Sequence, residues 1–115
     1  MDRRQTGSLA ENSAAAFLES QGFRIVARNF LRRVGELDIV ARHDDILIVA
    51  EVRTRARDDY GSAAASIGPA KQRRIVMTTA LFLQQHREYA RCRVRFDVLI
   101  VRDGAIEWLK HAFGA

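Results

Sequence analysis

Two rhythms of apolar and polar positions alternate along the chain. Between Gly7 and Gln21 the small and apolar residues Ala10, Ser13, Ala14, Phe17 and Leu18 fall on one face at helical spacing, and Gly22 follows as a stop. Phe23 to Phe30 alternates less cleanly but favours a strand. Gly35 to Arg42 and Ile46 to Thr54 predict two more strands, joined across His43-Asp44-Asp45. Pro69 belongs in the first turn of a second helix, with Gly68 as its cap. That helix is expected to run to about Arg87 and to bury Ile75, Val76, Thr79, Phe82 and Leu83. Arg93 to Val101 reads as a strand, Asp103-Gly104 as a hairpin turn, and Ala105 to Lys110 as a last short strand. The order helix, three strands, helix, two strands predicts an α/β or α+β domain, a mixed sheet with helices packed on it.

Composition narrows the class. A chain of 115 residues suits one domain spanning 1–115, and 48% hydrophobic with 29% charged residues makes a folded globular chain the expectation. No apolar run approaches the roughly 18 to 20 residues of a membrane helix. The opening Met1-Asp2-Arg3-Arg4-Gln5 leads into no signal core. Cys92 is the only cysteine, which excludes an intrachain disulfide and fits a reducing cytoplasm. Nothing near Cys92 pairs with it as a base, so it reads as a small buried apolar residue rather than a nucleophile. The net charge of +5 and a pI near 10.3 favour polyanionic partners. Of 19 cationic residues only Lys71 and Lys110 are lysine. Arginine grips phosphate through a planar fork, but a base-composition bias explains the ratio as well, so the net charge carries the argument. His43, His86 and His111 lack metal-ligand spacing, and there is no zinc pattern, phosphate loop or serine-nucleophile turn.

The segment from Gly35 to Arg53 carries the chemistry. With Asp44-Asp45 as a two-residue turn, His43 pairs with Ile46, Asp38 falls opposite Glu51, and Glu36 falls opposite Arg53. Side chains two apart share a face, so these four project together with Val40 and Val49. Leu37, Ile39, Ala41, Ile48, Ala50 and Val52 take the other face. Strands apolar on both faces belong inside a layered sheet, yet one end of one face holds three acids and one base. Opposed carboxylates repel, and partial burial strengthens the repulsion. Arg53 neutralises one charge; a hard divalent cation with oxygen ligands, Mg²⁺ or Mn²⁺, neutralises more. The competing reading is a solvated strand end with ordinary ion pairs.

Gly-Glu-x-Asp, followed about a dozen residues later by Glu-Val-Arg, resembles the (D/E)-Xn-(D/E)-X-K signature of the restriction-endonuclease-like superfamily. More narrowly, nearly the whole chain resembles the YraN family of small uncharacterised bacterial proteins. The matching stretches include Gly7-x-x-Ala10-Glu11, Gly22-Phe23, Ala27-Arg28-Asn29, Gly35-Glu36-Leu37-Asp38, Val49-Ala50-Glu51-Val52-Arg53-Thr54-Arg55, Lys71-x-x-Arg74 and Arg95-Phe96-Asp97-Val98. The resemblance implies an αβββαβ core and kinship with archaeal Holliday-junction resolvases. It also implies a metal-dependent nuclease acting on DNA, of branched or processed structure in the resolvase-like case. By the same resemblance Asp38 and Glu51 are metal ligands, Glu11 is the extra acid of resolvase-type members, and Glu36 is a third ligand or an outer acid. Glu11 is equally well read as an acid placed near a helix N-terminus. The chain departs from the signature at Arg53, where the superfamily usually has lysine. Arginine keeps a charge-stabilising role but is effectively never deprotonated.

Basic residues surround the segment. Arg53, Arg55 and Arg57 leave the second motif strand on its site-facing side, and Lys71 and Arg74 lie a turn apart near the start of the second helix. Arg55, Lys71 and Arg74 are therefore expected to contact a nucleic-acid backbone, against the alternative of a solvated surface. Three roles compete: a nuclease with Asp38, Glu51, Glu36 and Arg53 as its catalytic group; a nucleic-acid-binding module of nuclease fold with little or no catalysis, which Arg53 favours; and an interaction protein whose acids form only an ion network. DNA is the expected partner over RNA. A resolvase-like role implies a two-fold homodimer, although no dimer stripe stands out.

Overall fold

The computed structural model describes residues 3–54 and 67–114. Its elements are α1 (Arg3–Ser20), β1 (Arg24–Arg32), β2 (Gly35–His43), β3 (Ile46–Thr54), α2 (Pro69–Gln85), a one-turn 3₁₀ helix (Arg87–Tyr89), β4 (Arg93–Arg102) and β5 (Ala105–Phe113). The predicted order holds. Helix α1 begins four residues before Gly7, because Arg3 to Thr6 contains no helix breaker. Gly22 ends it with φ +92, a backbone region that costs glycine nothing. Gly68 caps α2 and Pro69 occupies its first turn, as expected. Asp103 and Gly104 both take positive φ, the pair of conformations that a tight hairpin turn needs.

The five strands lie in sequence order, β1 to β5, antiparallel except for a parallel β3–β4 pair. This is an α+β fold with a mixed sheet, compatible with a restriction-endonuclease-like core. Apolar residues fill both faces of the central strands, as their composition predicts. On the α2 side Leu37, Val40, Leu47, Val49, Val98 and Ile100 pack under Ile75 and Phe82. On the α1 side Ile39, Ala41, Ile48, Ala50 and Leu99 pack under Ala14, Ala15 and Leu18. Two helix positions differ from expectation. Ser13 is exposed, with Ala15 buried instead. Val76 is exposed and Thr78 is buried, because Thr78 returns its hydroxyl to the Arg74 carbonyl at 2.7 Å and so needs no solvent. Cys92 is half-buried against the α2-side core.

Strand β5 runs three residues beyond Lys110, held there by a buried acid. Asp97 is fully buried and accepts two hydrogen bonds on each oxygen: from Arg95 at 2.9 and 2.8 Å, Trp108 Nε1 at 2.8 Å and the His111 backbone N–H at 3.0 Å. The last of these falls where the β4–β5 register shifts, and His111 adopts φ +52. Phe113 then stacks on Phe96 at 5.1 Å.

Leu37 departs from the simple alternation, since it lies with Val40 on the α2 side rather than with Ile39. Its partner Phe30 turns the same way, and between Arg28 and Phe30 stands Asn29 with φ +53. The two strands therefore reverse their facing together at Asn29 and Asp38. A left-handed residue costs asparagine less than most side chains, which explains the imperfect alternation of this strand in the sequence.

The β1–β2 hairpin tip presses against α2 at Gly35. A Cβ there would lie 2.8 Å from Thr78 Oγ1 and 3.3 Å from Arg74 Cβ. Gly35→Ala is therefore expected to destabilise the fold by about 1–3 kcal/mol through overpacking, read as a lowered urea midpoint. An unchanged midpoint would show that the contact has slack.

Candidate active site at the β2–β3 fork

Strands β2 and β3 are joined through a turn at the His43–Ile46 pair and stay in register as far as Ile39–Ala50. There the expected ladder ends. Asp38 and Glu51 do not continue it as a backbone pair, nor do Glu36 and Arg53. Strand β2 stays with β1 down to the Gly35–Arg32 pair, while β3 stays with β4 up to Thr54–Val101. The two central strands thus diverge and leave a fork. The Val52 N–H donates to Asp38 Oδ2 at 2.9 Å instead of to a strand carbonyl. A side chain has replaced a ladder bond and is pinned in the plane of the sheet.

The acids occupy different layers around this fork. Glu51 follows Leu47 and Val49 on the α2 side and is 2% exposed. Lys71, from the first turn of α2, reaches it with Nζ 3.1 Å from Oε1. Glu51 Oε2 is buried without a hydrogen-bond partner among the described residues. Glu11, from α1, is mostly buried; Arg28 lies 3.7 Å away, and Asn29 gives it a hydrogen bond. Arg28 in turn holds Asn12 at 2.8 Å. Glu36 is exposed at the start of β2, Arg53 is half-buried on β3, and Arg74 is exposed on α2. Arg55 lies outside the described residues.

The structure therefore brings together Asp38, Glu51 and Lys71, with the charges of Arg53 and Glu11 acting on them. Among the described residues no three histidine, cysteine, aspartate or glutamate side chains are grouped so as to hold a metal. The sequence reading placed Lys71 on a nucleic-acid backbone and missed its ion pair with Glu51. The i, i+3 spacing of Lys71 and Arg74 locates the helix face but not the strand beneath it. It also missed Asn29, whose only signal was the broken alternation.

Burial dominates the electrostatics. It pushes the Glu51 carboxyl up to about 7, with the neighbouring Asp38 charge adding to the rise and Lys71 and Arg53 opposing it. Asp38 is also raised, mainly by burial, against the Val52 N–H and the charges of Lys71 and Arg53. Glu11 is raised by burial and then by Asp38. All-oxygen donors and a buried carboxylate oxygen with no partner among the described residues fit a hard divalent cation such as Mg²⁺ or Mn²⁺.

A carboxyl raised on folding binds more protons in the folded state, so its contribution to stability is full below about 4.5 and lost as pH rises through about 7. The metal-free wild type is expected to lose stability across that window, while Glu51→Gln flattens the decline. Urea unfolding at stepped pH checks this, and parallel profiles would show that Glu51 ionises freely in the fold.

Comparison with known proteins assigns the chain to a family. The sequence profile of the uncharacterised protein family UPF0102 matches residues 10–101. A UPF0102 protein of Alkalilimnicola ehrlichii is 41% identical over 111 residues, covering 96% of this chain and 88% of its own length. A UPF0102 protein of Nitrosomonas europaea is 42% identical over 110 residues, covering 93% and 92%. One from Azorhizobium caulinodans is 46% identical over 108 residues, covering 93% and 81%. With its fork-borne carboxylates and its end-to-end likeness to these relatives, the chain belongs to the uncharacterised protein family UPF0102, which is the YraN family that its motifs resemble.

Proposed function

We propose that the protein is a metal-dependent nuclease that hydrolyses phosphodiester bonds in DNA, with branched or processed DNA as its preferred form. The observation that carries this reading is Glu51: a buried carboxylate beside a second one, with one oxygen on Lys71 and the other without a donor among the described residues. An arrangement that folding alone disfavours persists when it serves a site. Asp38 and Glu51 would hold Mg²⁺ or Mn²⁺, with Glu36 and Glu11 as outer acids that add negative potential. A bound divalent ion supplies Lewis-acid polarisation of the phosphate and activation of a water.

The chain's own residues do the rest. The Val52 N–H fixes the Asp38 carboxylate so that it needs little reorganisation when loaded. Water oxygen forms the new bond to phosphorus and gives a proton to solvent, while the bond to the leaving sugar oxygen breaks and that oxygen takes a proton from solvent to leave as a hydroxyl. Arg53 stands on the same strand two residues beyond Glu51 and offsets the negative charge that builds on the phosphoryl oxygens. Arg74 would hold the strand backbone; Arg55, expected to do the same, lies outside the described residues. Among the described residues no helix is long and apolar enough to cross a membrane, and the net charge of +5 suits a polyanion. A homodimer would present two such sites to paired strands.

Arg53 in place of the signature lysine favours a second reading, a DNA-binding module with little catalysis. Labelled duplex DNA, a four-way DNA junction and single-stranded RNA, each incubated with Mg²⁺ and with Mn²⁺, separate the two. The nuclease reading expects metal-dependent nicking of DNA that falls about a hundredfold or more in Asp38→Asn and Glu51→Gln. Tight salt-sensitive binding without cleavage would establish the binding module, and gain of cleavage in Arg53→Lys would mark it as a decayed nuclease. Preferential cleavage of the RNA would overturn the substrate assignment.

A further inference from the structure

We propose that Lys71 holds the place of the metal in the unloaded protein and, once displaced from Glu51, becomes the cation that contacts the scissile phosphate. This assigns to Lys71 the role that the nuclease signature gives to a lysine on the strand, and it rests on the nuclease reading above.

The geometry points to Lys71 rather than Arg53. Its ammonium lies 3.1 Å from Glu51 Oε1, one of the two carboxylates through which a metal would be held. Its stem starts on an exposed turn of α2, and the side chain is 46% exposed against 2% for Glu51. One end of Lys71 is thus buried at the acid, and the rest borders solvent, where a phosphate would arrive. Arg53 is half-buried on the strand itself, and its charge acts on both carboxyls less strongly than that of Lys71. Lys71 carries a compact charge on a flexible four-carbon stem.

Chemistry separates them too. A carboxylate oxygen cannot accept both a close ammonium and a divalent ion without strong cation–cation repulsion. Glu51 Oε2 has no partner among the described residues, so a divalent ion loading there would stand one carboxylate away from the ammonium on Oε1, and their repulsion favours moving Lys71 away. A lysine swinging from Glu51 over a few bonds stays beside the site, and the nearest anion then available is the phosphate being cut. The residue type fits: a compact point charge re-pairs easily, while a guanidinium fork prefers a fixed bidentate partner. In a chain with 19 cationic residues only two are lysine, and one of them stands here. Whatever drives the arginine bias elsewhere has not filled this position.

The test uses the full chain, with Mn²⁺ as the metal probe and a labelled four-way DNA junction as substrate, at pH 8.5. Wild type, Lys71→Met and Arg53→Met are compared by calorimetry with Mn²⁺, by junction affinity in Ca²⁺, and by single-turnover cleavage. A melting curve of each variant confirms folding; Lys71→Gln serves as a second variant. Lys71→Met is expected to bind Mn²⁺ at least threefold more tightly and the junction within threefold of wild type, and to cleave at least a hundredfold more slowly. Arg53→Met should lose less. Weakened junction binding with an unchanged single-turnover rate would overturn the proposal and make Lys71 a backbone contact. Weakened Mn²⁺ binding in Lys71→Met would also overturn it, by showing that Lys71 props Glu51 in place. Either result leaves the metal site standing. Absence of Mn²⁺ binding in the wild type itself would instead remove the nuclease reading, and this inference with it.

Discussion

Everything distinctive in this molecule turns on the ionisation of two buried carboxyls at one fork. Burial raises the cost of charging both; the Asp38 charge raises it further for Glu51, while a hydrogen bond from Glu51 lowers it for Asp38. The chain holds them with a backbone N–H on one and a single lysine on the other. Strand divergence makes this possible. Had β2 and β3 stayed paired past Ile39–Ala50, the Val52 N–H would have gone to a strand carbonyl, and Asp38 would have had no donor in the sheet plane. Asn29 and Gly35 serve the same end. One helps reverse the facing of β1 and β2 at Asp38, and the other lets the hairpin tip close on the helix that carries Lys71.

A second buried acid provides the comparison. Asp97 is as deeply buried as Glu51, yet both of its oxygens are saturated by donors, and it fastens β5 to the sheet. Such a carboxylate has no capacity left for a ligand. Glu51, one strand over, keeps an oxygen with no donor among the described residues. The two acids thus differ within one sheet: full satisfaction marks Asp97 as a fastening, and the unsatisfied oxygen makes Glu51 the candidate for a site.

Much of this was legible in the sequence, because period and punctuation are local. Helix faces, the Asp44-Asp45 turn, the Pro69 start and the pairing of His43 with Ile46 all follow from residue types within a few positions. The nearness of Asp38 and Glu51 was legible too, from the turn that joins their strands. The fork was not, because a ladder's end depends on what flanks each strand. Strand β1 holds β2 and β4 holds β3. The Lys71–Glu51 contact was hidden for the same reason, since it spans twenty residues and a helix-over-sheet packing that no periodicity reports. Leu37 was placed on the wrong face because strict alternation assumes no left-handed residue in the neighbouring strand, and Asn29 is one.

The most direct test of the central claim is anomalous diffraction from crystals grown with Mn²⁺. The account predicts one strong peak between the carboxylates of Asp38 and Glu51, with the Lys71 ammonium moved off Glu51. No peak at the fork, with Lys71 still paired to Glu51, would contradict it and leave the fork as a buried ion pair.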